Sequence, residues 1–261
     1  MSKLDVVIVT GAGRAIGKAA ALKLGQSGIP ILCISQSANS AETAHQIRLA
    51  GGGAESLQLD RADYYRTEQV MRDWAENQSS KRIGVVLAAA ILGPSGPLAN
   101  SDLHGWDQAY RTGVLGNLAV LKALLPGMLQ SQFARIVAFA GGGSAYANPS
   151  FPAYSAVKTA MVRIVENLHE DLQDKGDFGV VCMAPGAVET DMLHQVREAG
   201  GYVKTSVSIA EPVQLIEAFL ESDICHFSGC FVHVRDEYQP HLNSEDKLSS
   251  DSKWKLRRVE T

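Results

Sequence analysis

Seven short apolar runs recur along the chain, and longer stretches that mix polar and apolar residues separate them. The runs are VVIV (6–9), PILCIS (30–35), ESLQLD (55–60), GVVLAA (84–89), RIVAFA (135–140), GVVCMA (179–184) and CFVHV (230–234). Most of them lack a polar alternate face, which is typical of strands buried on both sides of a parallel sheet. The pattern therefore predicts a parallel sheet of about seven strands.

The stretches between these runs carry helical patterns. Helices are predicted at 16–26, 65–76, 106–130, 153–175 and 211–221. Alternation of strands and helices indicates βαβ units, so the predicted fold class is α/β, a single doubly wound Rossmann-type domain with helices on both faces of the sheet. This domain would cover residues 1–235. A polar C-terminal extension, 236–261, would pack on the surface or at an oligomer interface.

Composition and charge narrow the possible partners. Of the 261 residues, 46% are hydrophobic and 20% are charged, which predicts a large core and argues against disorder. The formal net charge of −4 argues against nucleic acid as the main partner. The apolar run before the first glycine turn is too short for a signal peptide or a membrane span, so a cytoplasmic protein with no membrane partner is expected.

The cysteines and their neighbours raise the question of a metal. Four cysteines are scattered along the chain, at Cys33, Cys182, Cys225 and Cys230, and free thiols are expected from them. Cys225, His226, Cys230 and His233 crowd together, but the chain offers no C-x-x-C pair and no second cluster of matching spacing. No metal site is predicted.

A glycine-rich turn follows the first predicted strand. It reads Thr10-Gly11-Ala12-Gly13-Arg14-Ala15-Ile16-Gly17 and opens a helix. Glycines in such a turn let the backbone approach a pyrophosphate, whose negative charge is favoured at a helix N-terminus. The turn predicts a dinucleotide site, and an ordinary tight turn is the alternative.

A candidate proton-transfer pair lies in the fourth helical stretch. Tyr154 and Lys158 are four residues apart, so both side chains lie on one helix face. A protonated lysine beside a tyrosine lowers the phenol pKa from its usual value of about 10. Tyr154 could then donate a proton to a substrate oxygen or accept one from it.

Together these motifs resemble the short-chain dehydrogenase/reductase family. Its T-G-x-x-x-G-x-G motif is matched at Thr10, Gly11 and Gly17, with Ala15 in place of the middle glycine. Leu87-Ala88-Ala89-Ala90 occupies the N-N-A-G position, and residues 184–190, APGAVET, match the P-G-x-x-x-T segment. Residues 154–158, YSAVK, are close to the frequent Y-S-A-S-K, and the resemblance extends over about residues 4 to 235.

The resemblance implies a nicotinamide cofactor and most of the residues that bind it. They are Thr10, Gly11, Gly13, Arg14, Ala15, Ile16, Gly17, Ser35, Asp60, Arg61, Ala88, Ala89, Tyr154, Lys158, Pro185, Gly186, Val188 and Thr190. A carboxylate at the end of the second strand would repel the 2′-phosphate of NADP, but this strand ends in Ser35. The Arg14 guanidinium, in contrast, suits a phosphate group. NADP is therefore predicted, with NAD as the alternative.

Two further residues of the family's catalytic set are absent. A serine usually precedes the tyrosine by 12 to 14 residues, but this interval holds Ala140, Gly141 and Gly142. The usual asparagine aligns with Gly113, and Asn117, one helical turn later, is assigned no role. Ser144 is the candidate substitute donor, because the preceding glycines permit unusual backbone paths, and an exposed loop serine is the alternative.

The predicted function is that of an NAD(P)-dependent oxidoreductase. It would transfer hydride between nicotinamide and a carbonyl or secondary alcohol of a small-molecule substrate, with Tyr154 as acid/base. The alternative is a catalytically impaired, cofactor-binding relative that acts as a regulator or partner subunit. The resemblance also implies a homodimer or homotetramer that pairs through residues 106–130, 153–175 and 211–234.

Overall fold

A computed structural model of the chain describes residues 4–78, 80–201, 203, 206–221, 227–241, 248 and 251–257. Its seven strands form one sheet in the order β3-β2-β1-β4-β5-β6-β7, and every pairing is parallel. The strands are β1 Val6–Thr10, β2 Ile31–Ser35, β3 Ala54–Gln58, β4 Ile83–Leu87, β5 Phe133–Phe139, β6 Asp177–Ala184 and β7 Cys230–His233. The predicted α/β doubly wound sheet is confirmed.

Eight α-helices connect and flank these strands within the described residues. They are α1 Ala15–Gln26, α2 Asn39–Leu49, α3 Tyr64–Glu76, α4 Leu103–Tyr110, α5 Gly116–Ser131, α6 Pro152–Leu172, α7 Asp191–Glu198 and α8 Ala210–Glu221. The predicted single helix over 106–130 is divided, because a π-helical segment, Arg111–Leu115, separates α4 from α5. Helices α2 and α7 were not predicted, because their buried faces consist of a few small or isolated side chains.

The two faces of the sheet bury separate cores. Alternate side chains of β1 point to opposite faces, so Val7 and Val9 join the cluster under α1, α2 and α8, whereas Val6 and Ile8 join the cluster under α3, α5 and α6. Coverage on both faces explains why the strands lack a polar side.

The strand order reverses between β1 and β4. From this point the chain connections run to opposite sides of the sheet, which leaves a crevice at the carboxyl ends of the strands. The turn after β1 and the loops after β4, β5 and β6 all reach this edge.

Part of the C-terminal extension packs against the domain. Tyr238, Leu248 and Trp254 are buried in the same cluster as Phe219 and Phe227. The Trp254 ring meets the Phe227 ring edge-on at a centroid distance of 5.6 Å. The described residues of the extension therefore include side chains that are buried in the core, which was not expected from its polar composition.

One helical segment is apolar enough to be compared with a membrane span. Leu103–Ser131 passes by length and composition, but more than half of its most apolar window is buried in the structure. The buried core helix of a soluble protein has the same properties.

Candidate active site

A cleft of about 1090 Å³ lies at the carboxyl edge of the sheet. The predicted site residues all line it except two, Thr10 and Ser144. The structure thus brings together the glycine turn, the end of β3, the loop after β4, the Tyr154–Lys158 pair and the segment after β6.

The glycine turn leaves no room for side chains at Gly11, Gly13 and Gly17. A Cβ on Gly13 would lie 2.8 Å from the Asn39 Cβ. A Cβ on Gly11, whose φ is +70°, would lie 2.9 Å from the Ala89 Cα, and a Cβ on Gly17 would lie 2.3 Å from the Gly11 carbonyl oxygen. Thr10 lies buried below the turn, where its hydroxyl accepts a hydrogen bond from the Ala89 N–H at 3.4 Å. Thr10 therefore ties β1 to the loop after β4 rather than lining the cleft.

Ala15 adopts a conformation that favours glycine. Its φ is +47°, in the left-handed region where a Cβ crowds the backbone. The family motif has a glycine at this position, so the alanine keeps the shape of the turn at a cost in backbone strain.

The polar groups at the end of β2 are mostly engaged with each other. The Ser35 hydroxyl donates to the Ser37 carbonyl at 2.6 Å, and the Gln36 side chain donates to the Asp60 carboxylate at 3.1 Å. Arg14, in the glycine turn, is exposed, with one guanidinium nitrogen 4.0 Å from the Asp191 carboxylate at the start of α7. An exposed pair at this distance is weak, which leaves Arg14 available to an anionic ligand.

Tyr154 and Lys158 lie together inside the cleft. The Lys158 ammonium donates to the Phe139 carbonyl at 2.9 Å and lies 5.5 Å from the centroid of the Tyr154 ring. Burial lowers the pKa of Lys158 to about 8 and raises the pKa of Tyr154 to about 12. The expected lowering of the tyrosine pKa is therefore wrong, because burial raises this pKa, and the phenol is protonated at neutral pH.

The loop after β5 presents Gly141 to the tyrosine. A Cβ at Gly141 would lie 3.4 Å from the Tyr154 Cε1 and 3.6 Å from its hydroxyl oxygen, which are ordinary contact distances. The Ser144 side chain is buried, and its hydroxyl accepts a hydrogen bond from the Gly141 N–H at 3.2 Å. This geometry disfavours Ser144 as the substitute donor and places Gly141 where the family has its serine.

Gly113 is enclosed by the neighbouring helix. A Cβ at Gly113 would lie 2.5 Å from the Val157 Cγ1. Val157 stands where the frequent family motif has a serine, so its bulk fills the space that a side chain at 113 would need. The two departures from the family pattern are therefore linked by packing.

Asn117 and Arg61 form a buried polar pair that the sequence analysis did not foresee. The Asn117 amide donates to the Gly113 carbonyl at 2.8 Å, and its oxygen accepts a hydrogen bond from Arg61 at 2.7 Å. The one indication in the sequence was that Asn117 lies one helical turn after Gly113, the position at which the family has its asparagine.

The segment after β6 closes the cleft from the other side. Gly186 has a φ of +70°, and Val188 forms an isolated parallel bridge with Val207. The Thr190 hydroxyl caps α7 by accepting a hydrogen bond from the Leu193 N–H at 3.4 Å. The segment is thereby held along the cleft, and Asp191, which follows it, approaches Arg14 of the glycine turn.

The outer part of the cleft consists of residues that motif analysis did not single out. We use "outer part" for residues 91–92, 146–150, 192–193, 196, 201 and 203. None of them is charged, and most are apolar. They come from the loops after β4 and β5 and from α7 with the residues that follow it, and they carry no shared motif.

Within the described residues, no group of three or more His, Cys, Asp or Glu side chains is placed to hold a metal ion. Of the four clustered residues considered from the sequence, Cys225 and His226 lie outside the described part. Cys230 is buried in β7, and His233 lines the cleft.

Comparison with known sequences gives one family. The sequence model of the short chain dehydrogenase family matches residues 5–201. The chain is 31% identical over 195 residues to the 3-oxoacyl-[acyl-carrier-protein] reductase FabG of Aggregatibacter actinomycetemcomitans, covering 73% of this chain and 79% of that protein. It is 30% identical over 202 residues to a probable tetrahydroxynaphthalene reductase of Zymoseptoria tritici, covering 75% and 73% of the two chains.

Among solved structures, one comparison also bears on the cofactor. A protein of Beutenbergia cavernae, provisionally named an NAD(P)-dependent gluconate 5-dehydrogenase and solved with NADP at low occupancy, superposes with a TM-score of 0.78 at 25% identity. The alignment covers 88% of this chain and 94% of that one.

Proposed function

The chain belongs to the short-chain dehydrogenase family, and on this premise we propose that it is an NADP-dependent oxidoreductase that reduces a carbonyl group or oxidises the corresponding secondary alcohol. One observation carries the proposal. Tyr154 and Lys158 lie in the same cleft as the glycine turn, at the carboxyl edge of the sheet where this fold class binds its ligands.

The cleft fits a nicotinamide dinucleotide at its glycine-lined end. Gly11 and Gly17 leave the backbone bare where a pyrophosphate would approach, and Arg14 supplies a cation without a competing carboxylate at the end of β2. NADP bound to the relative from Beutenbergia cavernae supports the same choice. NADPH supplies the hydride when bound, and NAD(H) is the alternative cofactor.

The protein's own residues would orient the reactants and move one proton. In the reductive direction Tyr154, whose raised pKa keeps it protonated, donates its proton to the substrate oxygen. Lys158, held by the Phe139 carbonyl, keeps a donor group beside the tyrosine and would bind the nicotinamide ribose. Pro185, Gly186, Val188 and Thr190 would cover the nicotinamide side.

The outer part of the cleft favours an uncharged substrate. Its defined residues carry no charge, and the neighbouring Asp191 carboxylate, which also lines the cleft, would repel an anionic group. Burying an unpaired charge there would be costly. Asn148 and Ser150 leave room for a few hydrogen bonds. We therefore propose a neutral, largely apolar carbonyl compound as the substrate class. Six residues make up most of the apolar lining: Ile91, Leu92, Tyr146, Met192, Val196 and Val203.

Gly141 and Gly113 favour a second candidate, a cofactor-binding protein without appreciable turnover. Losing one positioned donor to a developing oxyanion typically costs about 10²–10³ in rate. The protein would then bind NADP and act as a regulator or partner subunit. The intact Tyr154–Lys158 pair argues for the enzyme.

We also propose self-association in the cytoplasm. A groove between α3, α5 and α6 is lined by apolar side chains, including Leu115, Leu118, Leu125 and Ile164. Covering this groove with a second copy would bury them. A dimer or tetramer mass that persists at high salt would agree, and a monomer would count against self-association.

Turnover with NADPH tests the enzyme. The purified protein would be screened against apolar ketones and aldehydes beside Tyr154→Phe, with Tyr110→Phe on α4 as the matched control. We expect Tyr154→Phe to lose turnover while keeping NADPH binding, and Tyr110→Phe to match wild type. Turnover that survives in Tyr154→Phe would refute the acid/base assignment, and NADPH binding without turnover in wild type would support the second candidate.

A further inference from the structure

Arg61 is a buried cation without a buried anion beside it. The residue is 5% exposed, and within the described part of the chain it forms no salt bridge. Asp60, the adjacent carboxylate, is exposed and binds Gln36 and the Ala62 N–H instead. Burying an unpaired guanidinium costs free energy, which suggests that Arg61 has a functional role.

The surrounding backbone is shaped to hold Arg61 in this place. A Cβ at Gly116, the first residue of α5, would lie 2.4 Å from the Arg61 carbonyl oxygen and 2.8 Å from the Arg61 Cβ. Asn117, only 3% exposed, accepts a hydrogen bond from the guanidinium at 2.7 Å and donates to the Gly113 carbonyl at 2.8 Å. The chain Arg61–Asn117–Gly113 thus ends within the π-helical segment, a feature frequent at functional sites.

This polar chain lies next to the proton-transfer pair. Val157, the residue before Lys158, fills the space beside Gly113, and Arg61 itself lines the cleft together with Tyr154 and Lys158. We propose that Arg61, held by Asn117, is a positioning residue that keeps a positive charge near Lys158 at neutral pH and thereby favours the neutral form of the Lys158 amine. For its consequence on catalysis this inference rests on the proposed oxidoreductase function.

The electrostatics of Lys158 agree with this placement. Its pKa is lowered to about 8 mainly by burial; the Cys182 thiol on β6 acts in the opposite direction, and the charge of Arg61 lowers the pKa further. Tyr154, one turn earlier on α6, is a further titratable group beside it, with its ring centroid 5.5 Å from the Lys158 ammonium. The Arg61 pKa is itself lowered by burial to about 10, so the guanidinium stays charged throughout the neutral range. A lysine that titrates near pH 8 can release and regain a proton during turnover.

The test is a titration of Lys158 in the cofactor-free, full-length protein. Lysine labelled with ¹³C at Cε would be followed by NMR between about pH 6.5 and 10.5, the range that spans the lowered and the ordinary lysine pKa. Lys158→Met identifies the signal by its loss. We expect the wild-type midpoint at about 8. Arg61→Gln and Asn117→Asp should each raise it by about half a pH unit, because the first removes the charge and the second neutralises it in place, while burial, the larger cause, remains.

Matched variants separate electrostatics from folding. Arg61→Lys retains a cation and should keep the midpoint close to wild type, and Arg66→Gln, an exposed arginine on α3, should leave it unchanged. A lower melting temperature with an unmoved midpoint would show that Arg61 is only structural. An unchanged midpoint in both Arg61→Gln and Asn117→Asp overturns the inference. If the midpoint moves but wild type shows no NADPH turnover, the proposed function fails while the role of Arg61 in setting the Lys158 pKa stands.

Discussion

At the scale of single residues, Gly141 lies opposite the Tyr154 hydroxyl and provides no side chain to polarise a carbonyl. Its backbone is extended, with φ −168° and ψ 171°, a conformation that any residue adopts. The position is open as well, since an added Cβ would make only ordinary contacts. The backbone at position 141 could therefore accommodate a serine, and the hydroxyl is missing only because the residue is a glycine.

Gly141→Ser should therefore raise turnover. A hydroxyl beside Tyr154 would stabilise charge on the substrate oxygen, and donors of this kind are worth about 10²–10³ in rate, so we expect an increase of at least about tenfold in kcat. Gly142→Ser is the matched control, because a Cβ at Gly142 meets nothing within 4 Å and does not face the tyrosine. Equal rates in the two variants would show that a hydroxyl at position 141 does not stabilise charge on the substrate oxygen.

Ala15→Gly should stabilise the protein. The alanine adopts a φ of +47°, which costs a residue with a Cβ about 1 kcal/mol relative to glycine. We expect the free energy of unfolding in urea to rise by about that amount. Ala19→Gly, inside α1, should instead lose about 1 kcal/mol. A loss in both variants would mean that the turn is not strained.

At the scale of elements, α6 packs against the π-helical segment so closely that the sequences of the two are coupled. Gly113 and Val157 are in contact, and each replaces a family residue of different size. This explains why the family asparagine is absent without assuming that the site has decayed. One helical turn later, the Asn117 side chain donates to the Gly113 carbonyl at 2.8 Å.

The coupling predicts a double-mutant cycle. Gly113→Asn alone should destabilise the protein by about 1–3 kcal/mol through overpacking against Val157. Adding Val157→Ser should recover part of this loss, with a favourable coupling energy of about 1 kcal/mol or more, measured by urea unfolding of the four variants. Additive effects would show that the two residues do not compete for the same space.

At the scale of the whole molecule, the C-terminal extension is anchored on the outer face of the domain. Trp254 is 3% exposed and packs on Phe227, while Arg257 donates to the buried Glu166 carboxylate at 2.9 Å. The extension is anchored near β7, on elements away from the glycine turn. We therefore expect the extension to contribute to the stability of the fold rather than to the reaction.

Trp254→Ala should lower the free energy of unfolding by about 3 kcal/mol, because a large buried aromatic side chain leaves a cavity. Lys253→Ala is the neighbouring control; its ammonium lies 4.9 Å from the Trp254 ring centroid, and we expect a loss of about 1 kcal/mol or less. NADPH affinity should be unchanged in both. A neutral Trp254→Ala would mean that the extension does not contribute to the folded core.

The sequence by itself determined the sheet, the glycine turn and the Tyr154–Lys158 pair. Each of these depends on a short-range pattern: buried strands appear as apolar runs, glycines mark close backbone approach, and residues four apart share a helix face. The family to which the chain belongs could be predicted from the same motifs.

The tertiary structure alone decided which polar groups surround that pair. It placed Gly141 rather than Ser144 opposite the tyrosine, fitted Val157 against Gly113, and brought Arg61 to Asn117 from 56 residues away. The outer part of the cleft likewise combines two loops with α7, which are distant in sequence. Such contacts depend on how helices pack on the sheet, and side-chain packing between distant segments leaves no periodic signal along the chain.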